Sequence, residues 1–250
     1  MQSCADPPIS EGEADSVRSS IGGRGSRLDV ERCAPALASF REVHARMLAD
    51  QRARAEGHLA EDRLVLFSPE PVITLGSGAG TKDLLLPREE YISRGVELRE
   101  VDRGGEATFH GPGQRVGYLT LRLDESERDL HALLRSVEEA LIRVLAELGV
   151  AGSRVEGRTG VWIGERKIAS IGLSVRRWVT GHGFALCVDG ALEEFAWIVP
   201  CGLEGCRYTT IAHETGRPVD RGDLDRRLVR HLGDCLDRRP PHALPGGDGS

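Results

Sequence analysis

The chain is poor in aromatic residues, has no surplus of basic ones, and contains no C-x-x-C pair, its nearest approach being Cys201 and Cys206, a weak C-x-x-x-x-C signal for a metal or redox pair. Phe, Trp and Tyr make up 4% of its 250 residues, too few for the stacking platforms that hold single-stranded nucleic acid. The formal net charge is -6, whereas a general nucleic-acid binder shows a basic excess. No apolar run approaches the roughly 20 residues that span a bilayer, and the first residues hold no signal-peptide core. Neither nucleic acid nor membrane is therefore an expected partner. Six cysteines stand at positions 4, 33, 187, 201, 206 and 235. None forms C-x-x-C, which argues against a zinc ribbon or a thioredoxin-like redox motif. No metal and no cofactor are expected, and the compartment reads as reducing cytosol with free thiols. The two common phosphate-binding patterns, G-x-G-x-x-G and G-x-x-x-x-G-K-[ST], are also missing. The nearest approach, G-S-G-A-G-T-K at residues 76–82, reads as a flexible loop.

What is present suits one fairly large domain with ragged ends. Residues 1–30 are rich in Ser, Gly and charge without apolar periodicity, and residues 238–250 are rich in Pro and Gly. Both read as disordered, leaving residues 31–237 as the folded domain. Helical spacing is visible at residues 35–56, through Leu37, Phe40, Val43, Met47 and Leu48. It is strongest at 129–148, where Leu130, Leu133, Leu134, Val137, Leu141, Val144, Leu145 and Leu148 share a broad face and Gly149 stops the helix. A third amphipathic helix is expected at 223–236. Strands are expected at 63–67, 71–75, 96–101, 116–123, 160–163 and 184–188, with one long strand over 167–179 after a turn at 164–166. Strands joined by short turns favour an α+β domain with a largely antiparallel or mixed sheet and flanking helices.

Four segments could carry chemistry. Residues 103–114 read R-G-G-E-A-T-F-H-G-P-G-Q, where glycines let backbone approach a ligand and Arg103 and His110 bring charge and donors. Taken alone, this could equally be a tight turn with an incidental histidine. Lys167 opens an apolar, small-residue strand, either as an ordinary solvated lysine or as one directed into a cleft. His182 precedes Gly183, Phe184 and Ala185, although a lone histidine is more often structural. Cys201 stands between Pro200 and Gly202 at the end of an apolar stretch, where a thiol can be exposed; buried inert thiols are commoner.

Together these segments resemble the lipoyl(octanoyl) transferase family, in order along residues 35–237. The family signature R-G-G-x-x-T-aromatic-H-x-x-G-Q-x-V-x-Y is met at 103–118, T-G-V-W-I with K-I-A-S-I-G at 159–172, H-G-F-A-L at 182–186 and P-C-G at 200–202. The resemblance implies a fold of the biotin and lipoate protein ligase (class II synthetase-like) type. It implies octanoyl or lipoyl transfer from acyl carrier protein to a lysine of an acceptor protein, with Cys201 carrying the acyl group and Lys167 as its partner. The acceptors would be lipoyl domains of 2-oxoacid dehydrogenase complexes and the glycine cleavage H protein. The substrate-binding segments would be Arg103, Gly104, Gly105, Glu106, Ala107, Thr108, Phe109 and His110; Ser170, Ile171 and Gly172; and Gly183, Phe184 and Ala185. Acidic carrier proteins call for a basic docking patch, for which Arg176 and Arg177 are candidates. Two rivals share the fold: an ATP-dependent lipoate or biotin ligase, and a non-catalytic acyl-binding module.

Overall fold

The computed structural model describes residues 23–33, 37–200 and 205–241. The main sheet runs β1 (Leu28–Arg32), β2 (Asp62–Phe67), β6 (Gln114–Thr120), β10 (Val179–Cys187), β9 (Arg166–Arg176), β8 (Arg158–Ile163) and β7 (Ser153–Val155). A two-residue strand, β11 (Arg207–Tyr208), joins β9 in parallel at Arg166 and Lys167. The centre is antiparallel, while β1 runs parallel to β2. A second sheet places β3 (Val72–Leu75) between β4 (Glu97–Glu100) and β5 (Ala107–His110). The architecture is the mixed α+β one expected from the sequence.

Helices close both faces of the main sheet. On one face lie α3 (Leu130–Glu147) and α5 (Arg221–Leu236). The apolar stripe of α3, Leu133, Val137, Leu141, Val144 and Leu145, meets Leu224, Leu228 and Leu232 of α5 in the largest core cluster. Asp129 caps α3 by accepting from the N–H groups of His131 and Ala132, and Asp220 caps α5 by accepting from Asp223 N–H. A buried bidentate pair fastens α5 to the sheet: Arg115 of β6 donates to both oxygens of Asp225, at 2.8 and 2.6 Å. The other face is covered by α1 (Phe40–Ala55), whose Phe40 and Met47 pack on Val65, Val116, Tyr118 and Ala185. Two short helices, α2 (Arg88–Ser93) and α4 (Ile211–Thr215), complete the helical set of the described residues.

Two details depart from the sequence reading. The expected long strand over 167–179 breaks into the β9–β10 hairpin, turning at Arg177 (φ 50°) and Trp178 (φ 59°). Two left-handed residues are what a tight hairpin turn requires, and Asn-Gly normally signals it. Arg-Trp carries no such signal, so the turn is invisible in the sequence. The folded body also extends beyond the expected limits of 31 and 237. Leu28 N–H donates to Arg239 O, and Arg239 N–H to Ser26 O, both at 2.9 Å.

These two ends converge on one buried carboxylate. Asp62, fully buried, accepts from Arg54 Nε (2.9 Å), Arg238 Nε (2.6 Å), Ser26 Oγ (3.1 Å) and Arg122 N–H (2.9 Å). It thus joins α1, β2 and both ends of the described domain. Removing it would leave the buried Arg54 guanidinium without its anion and Arg238 with Glu127 alone. Asp62→Ala is predicted to lower the unfolding free energy by about 3–5 kcal/mol in urea denaturation. A loss below about 1 kcal/mol, the worth of a surface pair, would show that the cluster does not tie the domain together.

Candidate active site

The R-G-G segment lies between β4 and β5 and is held from two sides. Gly104 N–H donates to Leu173 O (3.0 Å), along the part of β9 that lies beyond its pairing with β8. From the other side, Gly76, Ser77 and Gly78 donate to the carbonyls of Glu106 (3.2 Å), Arg103 (3.0 Å) and Gly105 (3.1 Å). A Cβ on Gly76 would overlap the Gly105 carbonyl, so glycine is required there. Residues 76–82, expected as a flexible loop, therefore begin as a brace for the R-G-G loop. Arg103 completes the brace. Its Nη2 donates to Thr74 O (2.8 Å), Thr74 Oγ1 (2.9 Å) and Glu106 O (2.8 Å), and its Nη1 to Gly104 O (3.0 Å).

Between this loop, β9–β10 and α3 lies a cavity of about 440 Å³. Its floor is nearly bare of side chains. Gly172 pairs across the strands with Gly183, and Ser170 with Ala185. A Cβ on Gly183 would overlap the Gly117 carbonyl, and one on Gly172 would come within 3.1 Å of Gly104 O. Phe40, Val116, Tyr118, Leu130 and Leu134 supply apolar wall. Such a lining suits a slender apolar ligand.

Lys167 lines the same cavity and is 2% exposed. Its Nζ sits 5.3 Å from the centre of the Trp162 ring, within range of a cation–π contact. The side chain passes over Gly160, where a Cβ would stand 2.7 Å from Lys167 Cε. Gly160 also has φ 121° and donates its N–H to buried Glu138 (2.9 Å). The T-G-V-W-I motif thus acts as a seat for the lysine.

Two buried histidines form the opposite part of the wall. His110 meets Gln114 Oε1 through Nδ1 at 3.3 Å and stacks on Phe40. Burial, aided by the charge of Arg103, lowers its pKa to about 3. His182 has φ 58°. That conformation turns its ring toward Tyr118 and toward His44 on α1. The same α1 face also meets the bare Cα of Gly181, where a Cβ would touch Gln51 and Met47. Regular strand alternation would send neighbouring residues to opposite faces. Nε2 of His182 donates to Asp102 Oδ1 (2.9 Å). Burial dominates nonetheless, and its pKa falls to about 4 despite the favourable carboxylate. Asp102 is itself buried enough to favour the acid form, yet the bond from His182 and the charge of Arg176 hold it below the usual carboxylate range.

Of the residues expected in the site, Arg103, Gly104, Gly105, Glu106, Thr108, His110, Lys167, Ser170, Ile171, Gly172, Gly183, Phe184 and Ala185 all border the cavity. Ala107 and Phe109 do not. They alternate to the opposite face of β5 and pack in the cluster with Ile73 and Phe195. Cys201 lies outside the described residues. The described chain before it ends at Pro200, bridged to Ala107, and after it Tyr208 pairs with Lys167. The sequence reading missed Phe40, Thr74, Leu130 and Leu134 as wall residues and singled out His182 without assigning it a role. Only His182, beside its glycines, carried any local signal.

Residues 44–233 match the family model of the lipoyl protein ligase A/B catalytic domain. Among curated proteins, an octanoyltransferase of Geobacter metallireducens is 45% identical over 197 residues, covering 78% of this chain and 89% of that protein. One of Gloeobacter violaceus is 54% identical over 142 residues, 57% of this chain and 62% of that protein. Among solved structures, lipoate-protein ligase A bound with ATP superposes with a TM-score of 0.66 at 18% identity, covering 89% of this chain and 90% of that one. A bipartite lipoate protein ligase of Thermoplasma acidophilum gives a TM-score of 0.66 at 17% identity, with 90% and 88% covered. At such identities these two structures establish the shared fold, the lipoate-ligase type expected from the motifs. Among the described residues no helix is long and apolar enough to cross a membrane.

The two buried imidazoles lead to a titration prediction. An unfolded histidine titrates near 6.5, while His182 and His110 fall to about 4 and about 3 in the fold. Between those values the unfolded chain binds more protons, so their stabilising contribution is complete above about pH 6.5 and is lost as pH drops toward 4 and then 3. Ring NMR of these two histidines is expected to show neutral imidazole at pH 6. Titration of either ring near 6.5 in the folded protein would contradict the packing described.

Proposed function

Since the chain belongs to the lipoyl protein ligase A/B catalytic-domain family, whose curated octanoyltransferase members match it closely over most of its length, we propose a mechanism for octanoyl transfer in protein lipoylation built on its own residues. The enzyme is an octanoyltransferase. In our reading it takes the octanoyl group from acyl carrier protein, holds it as a thioester on Cys201, and passes it to a lysine of a lipoyl domain. The acceptors are the lipoyl domains of 2-oxoacid dehydrogenase complexes and the glycine cleavage H protein, and the reaction runs in the cytosol.

The observation that carries the reading is the position of Lys167. Its buried amine borders the acyl-sized cavity, and its strand pairs with Tyr208, a few residues after Cys201. Pro200, just before Cys201, is bridged to β5 behind the R-G-G loop. The described residues on either side of Cys201 are thus held to strands that border the cavity, Pro200 to β5 and Tyr208 to β9. Cys187 is a poor alternative, since burial pushes its thiol up to about 12 against the opposing charge of Lys167. A free thiol titrates near about 8.5, so it needs a neighbouring cation to persist as thiolate at neutral pH.

Each half-reaction then balances. The Cys201 thiolate attacks the carrier thioester, the carbonyl–sulfur bond to the carrier breaks, and the Lys167 ammonium protonates the departing carrier thiol. Neutral Lys167 next takes a proton from the acceptor lysine as its amine attacks the Cys201 thioester. An amide forms and the Cys201 thiolate returns beside the ammonium. Exchange of one thioester for another is nearly balanced, and amide formation draws the sequence forward without ATP. The octanoyl tail lies over the Gly172–Gly183 floor, gaining about 0.8 kcal/mol per buried CH₂.

Incubation with octanoyl carrier and no ATP is expected to add one octanoyl mass to the intact protein, and Cys201→Ser to abolish the adduct. A label on another cysteine, or transfer that requires ATP and free acid, would refute this reading. Lys167→Ala is expected to slow acylation by about 10²–10⁴-fold with the fold intact by circular dichroism. An unchanged rate would remove Lys167 from the chemistry.

A further inference from the structure

His182 belongs to a second constellation behind the cavity wall. His44 comes from α1, Asp102 from the segment after β4, and His182 from β10. One ligand-capable atom of each lies within 4.8 Å of the other two, the one such trio of His, Cys, Asp or Glu found among the described residues. The rings of His44 and His182 are 5.2 Å apart between centres. Nε2 of His44 is buried and has no hydrogen-bond partner. Asp102 Oδ1 stands 2.9 Å from His182 Nε2.

We propose that His44, Asp102 and His182 bind a first-row divalent transition cation, of the class of Zn²⁺ or Co²⁺. Two imidazoles and a carboxylate are the donor set such ions prefer, whereas Mg²⁺ and Ca²⁺ favour oxygen alone. Two ligands each about 2.1 Å from one ion stand about 3.4 Å apart at the tetrahedral angle. The His182–Asp102 pair, 2.9 Å apart through a hydrogen bond, would lose the shared proton and open by about half an ångström to admit the ion. His44 completes the set by a modest side-chain movement. Access is through a separate cavity of about 600 Å³, walled by His44 and Asp102 together with Gln51, Arg52 and Arg176. His182 is held there with left-handed backbone, a strain that non-glycine residues sustain only when their surroundings impose it.

One side chain competes with the ion. Arg176 Nη2 lies 3.0 Å from Asp102 Oδ2 and is 66% exposed, so it neutralises the carboxylate yet is free to swing into solvent. Because His182 also lines the acyl cavity, an ion at this site fixes part of that cavity's wall from behind.

The test uses the full chain with Cys201→Ser, which removes a thiol that would itself take metal, and Co²⁺ alone as the probe. Visible d–d absorption and calorimetry are expected to show saturable binding of one ion. His44→Ala and Asp102→Asn should each weaken binding by more than about tenfold, and Arg176→Ala should tighten it. Asp102→Asn preserves shape, and melting curves check that each variant is folded. Absence of saturable binding, or binding indifferent to both His44→Ala and Asp102→Asn, would overturn the proposal.

Discussion

The site depends on backbone approaching backbone where no side chain intervenes. Gly183 lies against the Gly117 carbonyl, Gly172 against that of Gly104, and Gly76 against that of Gly105. The first and last approaches are closed to any residue with a Cβ, and the second would be tight. Together they draw the R-G-G loop onto β9 and clear a bare stripe on the sheet beneath it. The cavity lies between the loop so positioned, β9–β10 and α3. Most of the motif glycines are therefore structural in origin and functional in consequence.

The polar groups around that space are arranged to stay quiet. Arg103, in the most charged-looking segment of the chain, turns its guanidinium back onto Thr74 and the carbonyls of its own loop. His110 and His182 are kept neutral by burial. What remains is an apolar slot with the Lys167 amine bordering it, seated on Gly160 and facing Trp162. Electrostatic interactions strengthen as water is excluded, and in the proposed mechanism that ammonium governs the protonation of the Cys201 sulfur. The buried charges elsewhere do mechanical work, with Asp62 joining the ends of the domain and Asp225 fastening α5 through Arg115.

Much of this was legible in the chain. The stripe of Leu133, Val137, Leu141 and Val144 specifies α3, since burial of such a face outweighs local preference. Many residues implied by the family motifs border the cavity, although composition alone left the glycine-rich segment equally readable as a tight turn. Ala107 and Phe109 stand apart from the cavity for a simple reason: a motif is contiguous in sequence, but a strand sends alternate residues to opposite faces. The Arg177-Trp178 turn was missed because its backbone is imposed by the strands it joins. β1 was missed because a short strand with charged residues gains its identity only from β2 and from Arg239 across the fold.

By itself, the sequence determined the fold class and the family, since helical periodicity and contiguous motifs are local properties; Cys201 and Lys167 enter only as what the family resemblance implies. Only the tertiary structure decided that Arg103 braces a loop, that Gly160 seats the lysine, and that His44, Asp102 and His182 meet. Those relations join residues distant along the chain, and their distances are set by how helices and sheets pack, which no local pattern encodes.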